Sequence, residues 1–379
     1  MAISPLDFYK ILYNNGVYFF TGVPDSLLKE FCLCIDDKVS NKKHVIAANE
    51  GSAIALAAGY NLATMKVPLV YMQNSGFGNC VNPLLSLCDP EVYSIPMILL
   101  IGWRGEPGEK DEPQHVKQGK VQIKLLESMD IPYQIISKDE KRIEEKIRKI
   151  YKKTKNENRP VAILVKKNTF NTYKDDTTNA PIKSNQISRE ESLKIILGKL
   201  DDKAIIISTT GKTSREIFEI REKNNSKHNR DFLTVGSMGH CSSIALGVAL
   251  ANNNKVVCID GDGALIMHMG ILSTIAKIKP NNFYHILLNN FVHESVGSQK
   301  TGSEYIDIPK LVSSNNYNKI FSINSKAKLI EVFPQFINSD GPNFLEMNIK
   351  AGSRKELGRP SIKPVDNKKA LQKFINQLI

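Results

Sequence analysis

Two polar motifs in the second half of the chain follow apolar stretches at a spacing that allows shared chemistry. Asp262 lies between two glycines after the apolar run 255–259, and Asn290 follows the apolar run 283–288. A carboxylate at the end of a buried strand costs free energy unless a positive charge lies beside it. Residues 264–288 are enough for one helix and one strand, and such a crossover brings the ends of two parallel strands together. We therefore expect Asp262 and Asn290 to lie close together.

A carboxylate and an amide oxygen suit Mg²⁺, which also takes backbone carbonyl and phosphate oxygens in octahedral geometry. The glycines at 261 and 263 would let the backbone approach a diphosphate, and a helix that starts near Ala264 would point its N–H groups at it. The alternative is a tight Asp-Gly turn beside a polar Asn-Asn turn, which is what either motif alone usually means. An EF-hand is excluded, because residues 260–271 lack the third ligand, the central glycine and the terminal glutamate of that loop.

Apolar runs alternate with helical patterns along the chain, which predicts an α/β protein with parallel sheets covered on both faces. The runs are 44–48, 67–73, 95–102 and 160–166, followed by 203–209, 255–263 and 283–290. The polar segment 166–186 separates the two series and predicts a linker. The expected domains are therefore 1–180 and 187–379. Ligands gather at the carboxyl ends of such strands, so the loops after Gln73 and Ile259 are the expected site.

Composition and charge exclude several classes of protein. Hydrophobic residues make up 41% of the 379 residues and charged residues 24%, as in soluble globular proteins. The first residues lack a signal-peptide pattern, and the most apolar run, 93–103, is too short to span a membrane. The six cysteines lack zinc-site spacing and predict reduced thiols in a cytoplasmic protein. The net charge of +12 is spread over mixed-sign runs such as 138–158, which predicts a solvated amphipathic helix, with no nucleic-acid motif.

The pair of motifs around Asp262 and Asn290 resembles the cofactor-binding motif of the thiamine diphosphate-dependent decarboxylases. The resemblance implies that Asp262, the Asn290 side chain and the main-chain carbonyl of Val292 bind Mg²⁺. It also implies two doubly wound parallel-sheet domains, pyrimidine-binding and then diphosphate-binding, with no middle domain. The implied cofactor contacts are Glu50, Asn74, Thr210, Gly211, Lys212, Gly236, Ser237, Met238, Gly261, Asp262, Gly263, Ala264 and Asn290.

Two of these contacts have a specific role in the family. Glu50 follows the run 44–48 and precedes a helix of small residues, where the family places the carboxyl that hydrogen-bonds the aminopyrimidine ring of the cofactor. Alone, it would be a favourable partner of the helix dipole. Met238 has the position of the apolar side chain that bends the cofactor, although methionines often only fill gaps. Lys212 lies in a loop that is not a nucleotide P-loop, because Ile206 occupies the position where that motif requires its first glycine.

Longer stretches resemble the phosphonopyruvate decarboxylases, a two-domain branch of this family. They are 19–32, 48–60, 71–87, 95–119 and 293–303. The resemblance implies decarboxylation of a small anionic 2-keto acid, 3-phosphonopyruvate, to phosphonoacetaldehyde and CO₂ through the C2 ylid of thiamine diphosphate, in phosphonate biosynthesis. The alternatives are a sulfopyruvate decarboxylase with the same two-domain plan, or a non-catalytic basic protein that binds anions or nucleic acid on this fold.

Asp25 and His115 match positions where related 2-keto acid decarboxylases place polar catalytic groups. A helix N-cap and an ordinary loop histidine are the alternatives. Related pyruvate decarboxylases carry a glutamate six residues after the metal-binding asparagine, and this chain has Val296 there. Glu294 and His293 lie nearby in the sequence, and the spacing does not choose between them for proton transfer.

The anionic group of the substrate requires cations, and the candidates are Arg104, Lys212, Arg215 and Lys300. A surface salt bridge is the alternative for each. In the family, the two domain types that hold one cofactor come from two subunits. The resemblance therefore implies a homo-oligomer, a dimer or larger, with the site at the subunit interface, and symmetric oligomers are common among soluble proteins.

Overall fold

The computed structural model describes residues 2–173 and 186–378. The chain separates into two compact units, Met1–Ala180 with Val296–Gln299 and Pro181–Ser295 with Lys300–Ile379. Most of the linker expected at 166–186 lies outside the described residues, so the linker and the domain boundaries at 180 and 187 stay predictions.

The first unit contains a six-stranded sheet in which all neighbouring strands are parallel, in the order β2-β1-β3-β4-β6-β5. The strands are β1 Phe20–Gly22, β2 His44–Ile46, β3 Leu69–Gln73, β4 Met97–Gly102, β5 Tyr133–Ile136 and β6 Pro160–Val165. The helices are α1 Pro5–Asn14, α2 Lys29–Lys38, α3 Glu50–Thr64, α4 Val81–Pro83, α5 Pro113–Ser128 and α6 Ile143–Glu157, with a 3₁₀ segment at Asn74–Cys80 and a π-helical turn at Leu84–Cys88.

The central strands of this sheet are apolar at consecutive positions because both faces are covered. Ile98 and Leu100 of β4 belong to one apolar cluster, whereas Leu99 and Ile101 belong to another. Successive side chains of a strand point to opposite faces, so a strand between two helical layers needs an apolar residue at every position.

The second unit repeats this plan with the strand order β11-β12-β10-β9-β7-β8, again with parallel neighbours. The strands are β7 Ile205–Ser208, β8 Asp231–Leu233, β9 Val256–Gly261, β10 Phe283–Asn289, β11 Lys319–Ile323 and β12 Asn343–Asn348. The helices are α7 Arg189–Lys199, α8 Lys212–Lys223, α9 Cys241–Leu250, α10 Asp262–Met267, α11 Ile271–Ile278, α12 Ile308–Ser314, α13 Lys326–Asn338 and α14 Pro364–Asn376, with a 3₁₀ turn at Ser303–Tyr305.

The predicted fold class is confirmed: the described residues form two parallel α/β sheets, with no middle domain among them. The helix predicted from the charged run 138–158 is α6, which buries Ile147, Ile150 and Thr154. All six cysteines, each a described residue, are buried free thiols, as predicted. Within the described residues, no helix combines the length and the apolar character needed to cross a membrane.

Candidate active site

The predicted metal-binding residues meet at the carboxyl ends of two neighbouring strands. β9 and β10 pair with Gly261 beside Leu288, so Asp262 and Asn290 follow adjacent strand ends, as their spacing predicts. Asp262 is the first residue of α10 and is only 3% exposed. Its Oδ2 accepts hydrogen bonds from Thr301 Oγ1 at 2.5 Å and Ser303 Oγ at 3.0 Å. Burial raises the pKa of the Asp262 carboxyl, and these hydroxyls and the backbone amides of Asp262 and Asn290 oppose the rise.

The groups around Asp262 fit a Mg²⁺ ion. Among the described residues, its hydrogen-bond partners are neutral and no cationic side chain pairs with it. Asn290 Oδ1 accepts from the Val292 N–H at 3.2 Å, which brings the Val292 backbone to the same loop. A buried carboxylate without a cation costs free energy, and an all-oxygen donor set is what Mg²⁺ prefers. Asp262, Asn290 and the Val292 carbonyl are therefore suitable ligands.

Glu294 lies beside this group and is held by cations. Its carboxylate accepts hydrogen bonds from Arg189 Nη1 at 2.9 Å, Lys212 Nζ at 2.8 Å and Asn290 Nδ2 at 2.9 Å. Burial raises the pKa of Glu294, but Arg189 and Lys212 outweigh it and lower that pKa to about 2. Glu294 is therefore an anion near neutral pH, which argues against it as a proton donor.

The second predicted proton carrier near Asn290 is neutral. Burial lowers the pKa of His293 to about 4. Its ring also explains one glycine of the motif, since a Cβ added at Gly263 would lie 2.9 Å from His293 Cε1. Local packing against the His293 ring therefore favours glycine at position 263. This reason is separate from the predicted approach of the backbone to a diphosphate. Its neighbour Ala264 is buried in α10, and Gly261 ends β9.

The predicted substrate cations of the second unit differ in whether they already have partners. Lys212 pairs with Glu294, and Lys300, 69% exposed in its side chain, pairs with Glu304 at 2.8 Å. Lys300 thus matches the surface-pair alternative. Arg215 is half-buried, and burial lowers its pKa. No ion pair or side-chain hydrogen bond of Arg215 is found within the part of the chain that the structure describes.

The remaining predicted contacts of the second unit occupy the loops after β7 and β8. Thr210 Oγ1 donates to the Val235 carbonyl at 2.9 Å, which ties these two loops together. Gly211 has φ 92° and Ser237 has φ 54°, so both loops turn through the left-handed region. Gly236 and Met238 are half-buried beside Ser237. Both loops therefore lie at the same edge of the sheet as Asp262.

Glu50 is the corresponding carboxyl group of the first unit. It is the first residue of α3, whose N-cap Asn49 accepts from the Ser52 N–H at 2.9 Å. The side chain is 4% exposed, and its Oε2 accepts from Asn79 Nδ2 at 2.7 Å. A Cβ added at Gly76 would overlap Glu50 Oε1, so glycine leaves the space that the carboxyl occupies. No cation pairs with Glu50 among the described residues, which suits a carboxyl reserved for a ligand.

Asp25 is fully buried and is not a helix N-cap, because α2 begins at Lys29 after Leu28. Its carboxyl accepts from Gln73 Nε2 at 2.6 Å and from the Leu27 N–H at 3.0 Å. Burial raises the pKa of Asp25, and the hydrogen bond from Gln73 opposes this. Asp25 is therefore easier to protonate than an exposed aspartate.

Arg104 is already neutralised in its own unit. Its guanidinium forms a two-point pair with Asp111, with Nε 2.8 Å from Oδ2, and Nη1 donates to Ser26 Oγ at 2.9 Å. Asn74, predicted to contact the cofactor, holds the Arg104 backbone: Nδ2 donates to the Arg104 carbonyl at 2.8 Å and Oδ1 accepts its N–H at 3.1 Å. A substrate anion would have to compete with Asp111 for Arg104.

His115 belongs to α5 and is buried near the same charged pair. Burial, together with the nearby Arg104, lowers the pKa of His115 to about 4. Its Nδ1 has no hydrogen-bond partner among the described residues. His115 is therefore neutral near pH 7, and one of its ring nitrogens is buried without a hydrogen-bond partner among the described residues.

The sequence interpretation missed several residues that hold these groups in place. Five of them had a signal, because they lie in the stretches 71–87, 95–119 and 293–303 that resemble the family, whereas Arg189 and Glu216 had none. The missed residues are Gln73, Asn79, Asp111, Arg189, Glu216, Thr301 and Ser303.

Comparison with known proteins adds an independent finding. Residues 7–126 match the family described as "Thiamine pyrophosphate enzyme, N-terminal TPP binding domain", and residues 209–347 match "Thiamine pyrophosphate enzyme, C-terminal TPP binding domain". A phosphonopyruvate decarboxylase from Streptomyces viridochromogenes is 30% identical, over 98% of this chain and 95% of its own. One from Streptomyces hygroscopicus is also 30% identical, over 99% and 94%. A sulfopyruvate decarboxylase from Methanosarcina acetivorans is 27% identical, over 96% and 95%.

Proposed function

This chain belongs to the thiamine diphosphate-dependent decarboxylases, and we propose that within this family it converts 3-phosphonopyruvate to phosphonoacetaldehyde and CO₂. The observation that carries the choice of substrate is the 30% identity to two phosphonopyruvate decarboxylases over nearly the whole chain. Its activity as a 2-keto acid decarboxylase rests in addition on the two cofactor-binding domains. The phosphonate substrate is the proposed part.

The site residues have distinct proposed roles. Bound thiamine diphosphate supplies a carbon nucleophile for the ketone and an electron sink for the departing carboxylate. Asp262, Asn290 and the Val292 carbonyl would hold the Mg²⁺ ion that neutralises the diphosphate. Glu50, buried and oriented by Asn79, would place its carboxyl against the aminopyrimidine ring.

Asp25 and His115 are the proposed proton-handling residues. The raised pKa of Asp25, caused by burial, favours a role as proton donor. The pKa of His115, lowered to about 4 chiefly by burial, keeps the ring neutral and able to accept a proton near pH 7. The two shifts have opposite consequences, which is how one site provides an acid and a base.

For the phosphonate group we favour Arg215 and then Lys212. Arg215 has no carboxylate partner among the described residues, whereas Lys212 shares Glu294 with Arg189. Binding a dianion to an unpaired arginine gains more than displacing an existing ion pair. Arg104 and Lys300 remain candidates, but each would have to break its ion pair with a carboxylate to bind the phosphonate.

A substrate panel tests the proposal. CO₂ release is measured with thiamine diphosphate and Mg²⁺ from 3-phosphonopyruvate, sulfopyruvate and pyruvate. We expect kcat/KM for 3-phosphonopyruvate to exceed that for pyruvate by about 100-fold or more, since pyruvate would leave the half-buried Arg215 unpaired. Equal or better turnover of sulfopyruvate would replace the proposal with the second candidate, which the 27% identity to a sulfopyruvate decarboxylase favours. The non-catalytic alternative requires that no substrate releases CO₂.

We also propose that the chain forms a homo-oligomer with the cofactor site at the subunit interface, as the family resemblance implies. Related proteins from Methanococcus maripaludis are named sulfopyruvate decarboxylase subunit alpha and subunit beta. The outer face of α3 supports the proposal, because Leu56 and Leu62 are 41% and 69% exposed. Large apolar side chains on one helix face favour burial against another chain.

A further inference from the structure

The side chain of Asn290 has an oxygen and a nitrogen of nearly equal size, and only the oxygen can bind a metal ion. Asn290 Nδ2 donates to Glu294 Oε2 at 2.9 Å, while Oδ1 accepts from the Val292 N–H at 3.2 Å. A carboxylate accepts and never donates when ionised, so it can contact only the nitrogen end of an amide. We propose that Glu294 is a positioning residue that fixes the Asn290 amide with its oxygen available to Mg²⁺.

Glu294 is itself held rigidly by charge. Arg189 reaches two carboxylates, with Nε 2.8 Å from Glu216 Oε2 and Nη1 2.9 Å from Glu294 Oε2. Lys212 Nζ contacts the other oxygen of Glu294 at 2.8 Å. The side chains of Arg189, Glu216 and Glu294 are only 6%, 3% and 8% exposed. Two anions and two cations balance one another, so the group is fixed without a further ion.

This balance separates the role of Glu294 from that of a metal ligand. A carboxylate that already contacts an arginine and a lysine offers little charge to Mg²⁺, whereas Asp262 contacts only neutral groups among the described residues. Glu294 therefore acts through Asn290. Partners that orient metal ligands typically contribute about 10- to 100-fold to metal affinity. The inference rests on the proposed Mg²⁺ site and is independent of the choice of substrate.

The test is Mg²⁺ binding to the full chain by isothermal titration calorimetry with saturating thiamine diphosphate. Glu294→Asp keeps the charge that Arg189 and Lys212 require but shortens the side chain by one methylene, so it withdraws from Asn290. Glu294→Gln removes the charge and serves as a second variant. The matched control is Glu304→Gln, since Glu304 follows Glu294 by ten residues and its ion pair within the described residues is a surface contact with Lys300.

We expect Mg²⁺ affinity to fall about 10- to 100-fold in Glu294→Asp and to stay within about twofold in the control. Decarboxylation by Glu294→Asp should recover at high Mg²⁺, because the residue transfers no proton. Lower thermal stability of both variants with unchanged Mg²⁺ affinity would show a merely structural role and overturn the proposal. Loss of activity that high Mg²⁺ does not restore would also overturn it. If the wild-type chain decarboxylates sulfopyruvate instead, only the proposed substrate changes, and the inference about Glu294 is unaffected.

Discussion

At the scale of single residues, the structure separates the charges of the predicted site into paired and unpaired groups. Arg104 and Lys212 each contact a carboxylate, Asp111 and Glu294 respectively. Glu50 and Asp262 are buried acids whose hydrogen-bond partners, among the described residues, are neutral amide and hydroxyl groups, and Asp25 is a third. A buried group that is not neutralised by the protein is the one that a ligand can neutralise. Glu50 and Asp262 are the two acids that the family resemblance assigns to the cofactor.

The first prediction at this scale concerns the carboxyl of Glu50. Glu50→Gln keeps an oxygen that can accept from Asn79 but cannot share a proton with the aminopyrimidine ring. We expect CO₂ release to fall about 100-fold or more, while thiamine diphosphate and Mg²⁺ still bind in calorimetry. A variant that retains a tenth of the wild-type rate would contradict the role proposed for Glu50.

A second prediction concerns acid stability through His115. Its pKa is lowered to about 4 by burial, against about 6.5 in the unfolded chain. The unfolded state therefore binds more protons between these values, so the contribution to stability is complete above pH 6.5 and is lost as the pH falls toward 4. Urea titrations should show that the unfolding free energy falls less over this pH range in His115→Gln than in the wild type. The difference between the two losses should be on the order of 2 kcal/mol. His240→Gln, which changes an exposed histidine, is the control, and equal curves for all three proteins would refute the assignment.

At the scale of secondary-structure elements, short segments at strand ends decide where the reactive groups lie. The 3₁₀ segment Asn74–Cys80 follows β3 and carries both Gly76, which makes room for Glu50, and Asn79, which hydrogen-bonds it. In the second unit, the hydroxyls of Thr301 and Ser303 hydrogen-bond the Asp262 carboxyl in the same way. Each of these two carboxyls is thus fixed by a segment distant from it in sequence.

A pair of glycine substitutions tests the 3₁₀ segment. Gly76→Ala places a methyl group on the Glu50 carboxylate, whereas a Cβ at Gly78 meets no atom within 4 Å. We expect Gly76→Ala to lose about 1–3 kcal/mol of unfolding free energy and most of its decarboxylase activity, because overpacking displaces Glu50. Gly78→Ala should behave as the wild type in both assays. Similar losses in the two variants would show that the segment, and not the space beside Glu50, is sensitive.

At the scale of the whole molecule, the exposed face of α3 bears on assembly. α3 is unusual for a surface helix because its exposed positions include Ala55, Leu56, Gly59 and Leu62. An outward helix face normally carries polar and charged residues. The proposed homo-oligomer would explain this composition by burying that face.

Leu62→Glu tests whether this face is an interface. A charge at the centre of an apolar interface is costly to desolvate, so we expect the variant to sediment at a lower mass than the wild type in analytical ultracentrifugation. Ile330→Glu, at an exposed position of α13, should leave the mass unchanged. Identical masses for Leu62→Glu and the wild type would exclude α3 from the interface.

The central strands and the proximity of Asp262 to Asn290 could be predicted from sequence, while other elements could not. Strands β3, β4 and β6 are buried on both faces, so they appear in the sequence as continuous apolar runs. Edge strands such as β5 and β11 are partly exposed, and β1 has only three residues, so none of these produces such a run. The pairing of β9 with β10 followed from the length of the crossover between them.

The sequence by itself determined the fold class, through its apolar periodicity, and the cofactor family, through motifs that resemble that family, whereas the cofactor-binding residues stay predictions from this resemblance. Only the tertiary structure decided which charged groups remain unpaired. Arg189 and Lys212 reach Glu294 across 105 and 82 residues of sequence. Such contacts are set by how the strands are ordered and how loops meet at the sheet edge, so no local pattern records them.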